Sequence, residues 1–212
     1  PIETTGYEGA TVFEPITGAH MEPVSVLDYG SLYPSSMIMR NLSTEMYVKN
    51  AKYLNIPGYR YHKIIHNDTD QNLVECIFAE KLDGSKGIIP NILSKLLAER
   101  SRVKKLMEAE SDSFKQGIYD GLQLAFKVTA NSLYGATGAP VSPIYCKAVA
   151  ASTTATGREM LQFAKYFIEN IYATLINLAL SDDYDSYTKE MHYQFTYFPH
   201  IIEDFHLCTD EN

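Results

Sequence analysis

The sequence predicts an α+β fold, and three patterns predict it: a strand, tight turn and helix over residues 24–40, a β-hairpin over 59–79, and two long amphipathic helices in tandem over 90–134. A chain of 212 residues with 45% hydrophobic content has room for one large domain or two small ones around a real core.

Residues 1–22 contain Tyr7-Glu8-Gly9-Ala10 and then Thr11-Val12-Phe13, a turn feeding a strand, with Thr17-Gly18 as a second turn. Val24, Val26 and Leu27 suit a short buried strand that delivers one acid, Asp28, at its end. Gly30 and Ser31 form a tight turn, and Pro34 has the fixed φ of a first helical turn, so a helix follows and ends near Asn41-Leu42-Ser43. Backbone N–H groups in such a turn favour an anion such as a phosphate. A carboxylate beside a phosphate cradle is a place for a divalent cation. Taken alone, the stretch suits a buried, capped acid in an ordinary turn equally well.

Tyr59 to Ile65 and Leu73 to Ala79 are rich in β-formers and flank the polar loop 66–72. Asp68 and Asp70 in that loop have the chemistry of metal ligands, but Asp is also a residue that turns select for local hydrogen bonding. Pro90 opens a long amphipathic helix in which Ile92, Leu93, Leu96, Leu97, Val103, Leu106 and Met107 recur at helical spacing. Arg100 and Lys104, four apart, share a face and repel unless an anion sits between them. A second helix runs from about Ile118 to Tyr134. It puts Leu122, Ala125, Phe126, Thr129 and Leu133 on one side and Lys127, Asn131 and Tyr134 on the other. Gly135 and Gly138 follow, where the backbone can approach a partner closely. Residues 139–156 read as a loop and packed lead-in to a third helix that begins at Gly157-Arg158 and reaches about Ala179. Ser181 to Tyr187, a strand at His192 to Phe198 and an acidic end complete the chain.

The net charge of −8 sits in the tail: residues 181–212 hold eight acids and one Lys, leaving residues 1–180 near neutral with 17 basic and 18 acidic residues. Within that body Lys95, Arg100, Arg102, Lys104 and Lys105, against Glu99 and Glu108, make a locally positive helix suited to an anionic ligand. Cys76, Cys146 and Cys208 match no metal or disulfide spacing and read as reduced and intracellular. No apolar run approaches the ~20 residues of a membrane span, so no membrane partner is expected. Pro1 in place of an initiator Met, and the polar end, read as a piece of a longer chain.

Asp28-Tyr29-Gly30-Ser31-Leu32-Tyr33-Pro34-Ser35 resembles motif A of the family B DNA polymerases, D-x-x-S-L-Y-P-S. Lys127 to Gly135 resembles their motif B, K-x-x-x-N-S-x-Y-G, and Arg100-Ser101-Arg102-Val103-Lys104 between them resembles the R-x-x-x-K of the fingers helix. The three occur in the family's order over about residues 7–170. The resemblance implies a right-hand polymerase: a palm with a mixed or antiparallel sheet and helices, plus a helical-hairpin fingers subdomain. Residues 1–86 would be the first part of the palm with motif A, 87–135 the fingers with motif B, and 136–170 a palm helix.

Carried over by position, Asp28 and Lys127 would be catalytic, and Asp28 with the Tyr29 carbonyl would hold two Mg2+ ions. Backbone N–H groups near Ser31 and Leu32 would hold the triphosphate of a dNTP, and Tyr33 would lie under the deoxyribose and exclude a 2′-hydroxyl. Arg100, Lys104, Lys127 and Asn131 would grip the phosphates, and Tyr134 and Gly135 would lie against the nascent base pair on primer-template DNA. A replicative enzyme of cellular-delta or large-virus type is implied, working in the nucleus or at a viral replication site, with a sliding clamp reached through regions outside this chain. Tyr7-Glu8-Gly9-Ala10 resembles the family's Y-x-G-G linker, with Ala10 in place of the second Gly.

The family's third motif, Y-G-D-T-D-S, has no clear counterpart. Asp68-Thr69-Asp70 precedes motif B, and Asp183-Tyr184-Asp185-Ser186 has Asp182 in place of Gly after a segment that reads as helix. Residues 171–212 are expected to be an insertion before that motif, and the chain alone is expected not to polymerise. The alternative reading is a catalytically inactive polymerase-like scaffold or nucleic-acid-binding subunit. A small phosphotransferase is disfavoured because no G-x-x-x-x-G-K-[ST] is present.

Overall fold

Alternating burial along two paired strands sets the centre of the fold. In the computed structural model, which describes residues 6–21, 24, 26–172 and 174, β1 (Tyr59–Asn67) and β2 (Leu73–Lys81) pair antiparallel, from Tyr59 opposite Lys81 to Asn67 opposite Leu73. His62, Ile64 and His66 of β1 and Cys76, Phe78 and Glu80 of β2 are buried, while Lys63, Ile65 and Glu75 are exposed. This is the period of a sheet with one covered face. At the hairpin tip Asp68 accepts hydrogen bonds from the backbone N–H groups of Asn72 (2.8 Å) and Asp70 (2.9 Å). The Asn72 N–H foremost holds the Asp68 carboxyl below its usual range. Asp68 is therefore a turn residue, and among the described residues no group of three or more His, Cys, Asp or Glu side chains could hold a metal ion.

Helices cover the buried face. Helix α1 (Leu32–Met39) contributes Met37, and α2 (Ile88–Ala109) contributes Ile89 and Leu93, to a core with Leu42, Ile64, Cys76, Phe78, Ala130, Val149 and Ala155. Helix α3 (Ser113–Gly138) packs on α2 as a hairpin joined by three residues. The Asp112 side chain caps α3 by accepting from the N–H groups of Phe114 (2.9 Å) and Lys115 (3.4 Å). Helix α4 (Lys147–Tyr166) is fully buried from Val149 to Gly157. Its Thr153 and Thr156 hydroxyls donate back to the Val149 and Ser152 carbonyls, so these two polar side chains are satisfied within the core, whereas Ser152 Oγ is buried without a partner among the described residues.

The chain divides into two compact units, Pro1–Arg158 and Glu159–Asn212. In the second, α4 gives way to a π-helical stretch, Phe167–Tyr172, with the Phe163 and Phe167 rings 5.9 Å apart. No helix among the described residues is long and apolar enough to cross a membrane.

Four local expectations are corrected. Val24 and residues 26–28 form no strand, and Val24, Val26 and Leu27 stand 71–86% exposed. A strand exists only when its ladder is paired, and among the described residues no segment pairs with them. The same holds at Thr11-Val12-Phe13, where Val12 is exposed. Helix α3 starts five residues earlier than Ile118 and continues through Gly135 to Gly138, because Asp112 supplies the cap that the periodicity does not reveal. Helix α4 begins at Lys147, ten residues before Gly157: its small residues are not a loop but a face narrow enough to be packed on all sides. The third-motif candidates Asp183 and Asp185 and the strand expected at His192 to Phe198 lie outside the described residues.

Candidate active site

Asp28 is exposed, and the turn Gly30–Ser31 and the first residue of α1 follow it. Ser31 has φ 57° and ψ 54°, a left-handed conformation that costs a non-glycine residue about 1 kcal/mol or more. Its hydroxyl makes no capping bond, so the start of α1 is held by the backbone bond from Ser35 N–H to the Ser31 carbonyl (3.0 Å) and by Ser35 Oγ donating to the Gly30 carbonyl (3.2 Å). Strained backbone conformations of this kind cluster at functional sites. Tyr29 is half-buried, and burial raises its phenol.

The Tyr33 ring is wedged between two helices. Its centroid lies 4.6 Å from that of Tyr134 on α3, the rings tilted by 48°. On another side, a Cβ added at Gly157 of α4 would stand 2.8 Å from Tyr33 Cε1. Only glycine leaves room for the ring there. The Tyr134 hydroxyl meets that of Tyr7 at 3.4 Å, and burial first, then this hydrogen bond, lifts the Tyr134 phenol far above its usual range. Burial likewise raises Tyr33, opposed by the nearby Arg158 guanidinium. Tyr7 sits against Gly138, where a Cβ would come within 2.6 Å of its hydroxyl, so the close approach at Gly138 is to the chain's own Tyr7. Gly135 lies inside α3 facing open space.

The segment carrying Tyr7 is tied down by α4. Arg158 donates from Nη1 to the carbonyls of Glu8 (2.8 Å) and Gly9 (2.6 Å) and pairs through Nη2 with the Glu8 carboxylate (3.2 Å), while Thr154 Oγ1 donates to the Glu8 carbonyl (3.0 Å). These roles of Thr154, Gly157 and Arg158 escape a reading by periodicity. The sequence signal for them is a glycine and an arginine side by side within a run of small residues.

The helical hairpin carries the cations. Arg100, half-buried on α2, donates from Nε to Gln123 Oε1 on α3 at 3.2 Å. Lys104, Lys127 and Asn131 are exposed, and neither lysine makes an ion pair among the described residues. The stripe expected of Lys127, Asn131 and Tyr134 is thus split: Tyr134 turns inward toward Tyr33, while Lys127 and Asn131 stay in water. Of the sequence-predicted residues the structure brings Tyr33 and Tyr134 into contact. It leaves Asp28, Lys104, Lys127 and Asn131 exposed and pairs Arg100 across the hairpin.

Gly157→Ala is expected to cost about 1–3 kcal/mol, because the ring it would strike is already held by Tyr134. Thermal melting checks this. A variant that melts with the wild type would show that Tyr33 can yield.

The family model for DNA polymerase family B matches residues 2–197. The chain is 42% identical over 221 positions to a DNA polymerase of Phaeocystis pouchetii virus, covering 87% of this chain and 21% of that one. It is 39% identical over 223 positions to one of Pyramimonas orientalis virus, covering 80% and 18%. The DNA polymerase delta catalytic subunit of Caenorhabditis elegans is 41% identical over 173 positions, covering 79% and 14%. Among solved structures, the family B DNA polymerase from the archaeon Pyrobaculum calidifontis superposes with a TM-score of 0.59 at 31% identity, over 77% of this chain and 20% of that one. The chain thus spans about a fifth or less of the length of these relatives. With its strained turn at Ser31, its Tyr33–Tyr134 contact and this match along nearly its whole length, the chain belongs to DNA polymerase family B.

Proposed function

We propose that the chain forms the first part of the palm (residues 1–86 and 136–170) and the fingers (87–135) of a DNA-directed DNA polymerase that adds dNTPs to a primer 3′ end in DNA replication. Residues 171–212 would be an insertion before the third motif. The observation that carries this reading is the packing of Tyr33 against Tyr134, which joins the turn after Asp28 to the helix bearing Lys127 and Asn131.

Asp28 and the Tyr29 carbonyl are hard oxygen donors beside a turn suited to phosphate, and this fits Mg2+, which takes one or two carboxylates together with phosphate oxygens and water. Two such ions, when bound, stabilise charge on the attacking and leaving oxygens of nucleotidyl transfer. The backbone N–H groups at Ser31 and Leu32 orient the triphosphate, and the Tyr33 ring, immobilised by Tyr134 and Gly157, offers a flat wall to the sugar. Lys127 and Lys104 are exposed cations able to meet phosphate oxygens, with Arg100 as a forked donor whose side chain is steered by Gln123. Asn131 adds a neutral donor one turn beyond Lys127. Tyr134 and Gly135 lie where the template-primer pair would rest, and primer-template DNA and dNTPs are the partners, inside cells or at viral replication sites.

The test is Mg2+-dependent binding of a fluorescent dNTP, followed by anisotropy, alongside an assay for ATP turnover without DNA. Lys127→Ala is expected to weaken binding about 10- to 100-fold, the worth of a charge-assisted hydrogen bond. Wild-type protein that ignores dNTPs, or that hydrolyses ATP in the absence of DNA, would overturn the reading.

A further inference from the structure

Helix α2 lacks a cap of its own. The residue before it is Gly87, which has no side chain to offer the first N–H groups, and an exposed helix start would leave them to water. Instead three consecutive donors are met by side chains from the five residues 41–45, just beyond α1. Gly87 N–H donates to Asn41 Oδ1 (2.7 Å), Ile88 N–H to Glu45 Oε1 (2.5 Å) and Ile89 N–H to Ser43 Oγ (3.2 Å). Ser43 Oγ in turn donates to Glu45 Oε2 (2.7 Å), fixing the carboxylate, which also complements the positive end of the helix.

Asn41 does more than cap. It is fully buried, has φ 52°, and donates from Nδ2 to the Ala79 carbonyl of β2 at 2.8 Å, so one amide bridges the sheet and the base of α2. The fit is close: a Cβ at Gly87 would stand 2.8 Å from Ser43 Cβ and 2.9 Å from Glu45 Oε1. A short path therefore runs from the strained turn at Ser31 through α1 to Asn41–Glu45, and from there into the helix that carries Arg100 and Lys104.

We propose that Asn41 and Glu45 are positioning residues: they clamp the base of α2 to the segment that follows α1, so that Arg100 and Lys104 keep their place relative to Asp28. The coupling to nucleotide binding rests on the polymerase reading above; the clamp itself does not.

Hydrogen exchange of the Gly87, Ile88 and Ile89 amides tests the clamp, and the affinity for a fluorescent dNTP with Mg2+ tests the coupling. Glu45→Ala should speed exchange at Ile88 about tenfold, the factor set by one ordinary hydrogen bond, and weaken dNTP binding by a similar factor. Glu45→Gln, which keeps the Oε1 acceptor, should restore both. Asn41→Ala should act more strongly. If it unfolds the protein, the Glu45 pair alone decides. Exchange unchanged in Glu45→Ala would overturn the clamp. Faster exchange with dNTP affinity intact, or a Gln variant as impaired as Ala, would overturn the positioning role. If wild-type protein binds no dNTP, the polymerase reading and the coupling fall together, and exchange still decides the clamp.

Discussion

Asp28→Asn is expected to slow nucleotide addition by about a thousandfold or more while leaving the fold's stability within about 0.5 kcal/mol of the wild type. The two halves have different causes. Asp28 is exposed, and substitutions of exposed residues scarcely move folding equilibria. The chemical effect comes from charge. An amide keeps the shape but loses the negative charge that draws a divalent ion, and the stabilisation such an ion gives to the transition state is worth several kcal/mol, each 1.36 of which is a factor of ten. Primer extension by the polymerase carrying this segment, set beside thermal melting of the same variant, separates the two. Extension at the wild-type rate would remove Asp28 from the site. A large fall in melting temperature would recast it as a structural residue.

Glu80→Ala should be the most damaging change to the fold, at about 3–5 kcal/mol. The Glu80 carboxylate is fully buried on the inner face of β2. Its Oε1 accepts from Arg60 Nη2 (2.7 Å) and Lys86 Nζ (2.6 Å), and its Oε2 lies 2.6 Å from His62 Nε2. Burial by itself raises the carboxyl, yet the bonds from His62, Arg60 and Lys86 together outweigh it and hold the group at about 2, against 4.5 in an open chain. Because the folded value lies below the unfolded one, the stabilisation is fully present above about pH 4.5 and is lost as pH falls toward 2. That interval corresponds to about 3 kcal/mol. Removing Glu80 leaves its cationic partners without a counter-charge, a worse outcome than never having built the cluster. Urea unfolding between pH 7 and pH 2 checks this: the wild type should lose stability over that acid window, and Glu80→Ala should start lower and flatten there. An alanine variant as stable as wild type at pH 7 would mean that water reaches the cluster and replaces the acid.

The helical hairpin was legible in the sequence because Leu93, Leu96, Leu97 and Val103 recur as a helix demands, and the β-hairpin because two runs rich in β-formers flank a polar loop. The turn at Ser31 was legible through Gly30 and Pro34. What could not be read depends on partners distant in the chain. Val24, Val26 and Leu27 have the composition of a strand, but a ladder needs a neighbour and propensity does not say whether one is there. The small residues from Ala148 to Gly157 look like loop material until something packs against them on every side, as Tyr33 does at Gly157. Spacing alone groups Tyr134 with Lys127 and Asn131, but a phenol can join either a wet stripe or a buried one, and the contact with Tyr33 decides between them.

The bonds from Arg158 and Thr154 to Glu8 and Gly9 join residues 146–150 apart in sequence. The two hairpins, by contrast, close through links of a few residues. Loop closure over so long a stretch carries a larger entropic cost than either hairpin, and contacts of that kind form slowly. The hairpins are therefore expected to organise first and the segment at Glu8–Gly9 to be fastened last. By the same reasoning this segment is expected to loosen first, so under mild destabilisation a protease should cut near Glu8–Gly9 while both hairpins still stand.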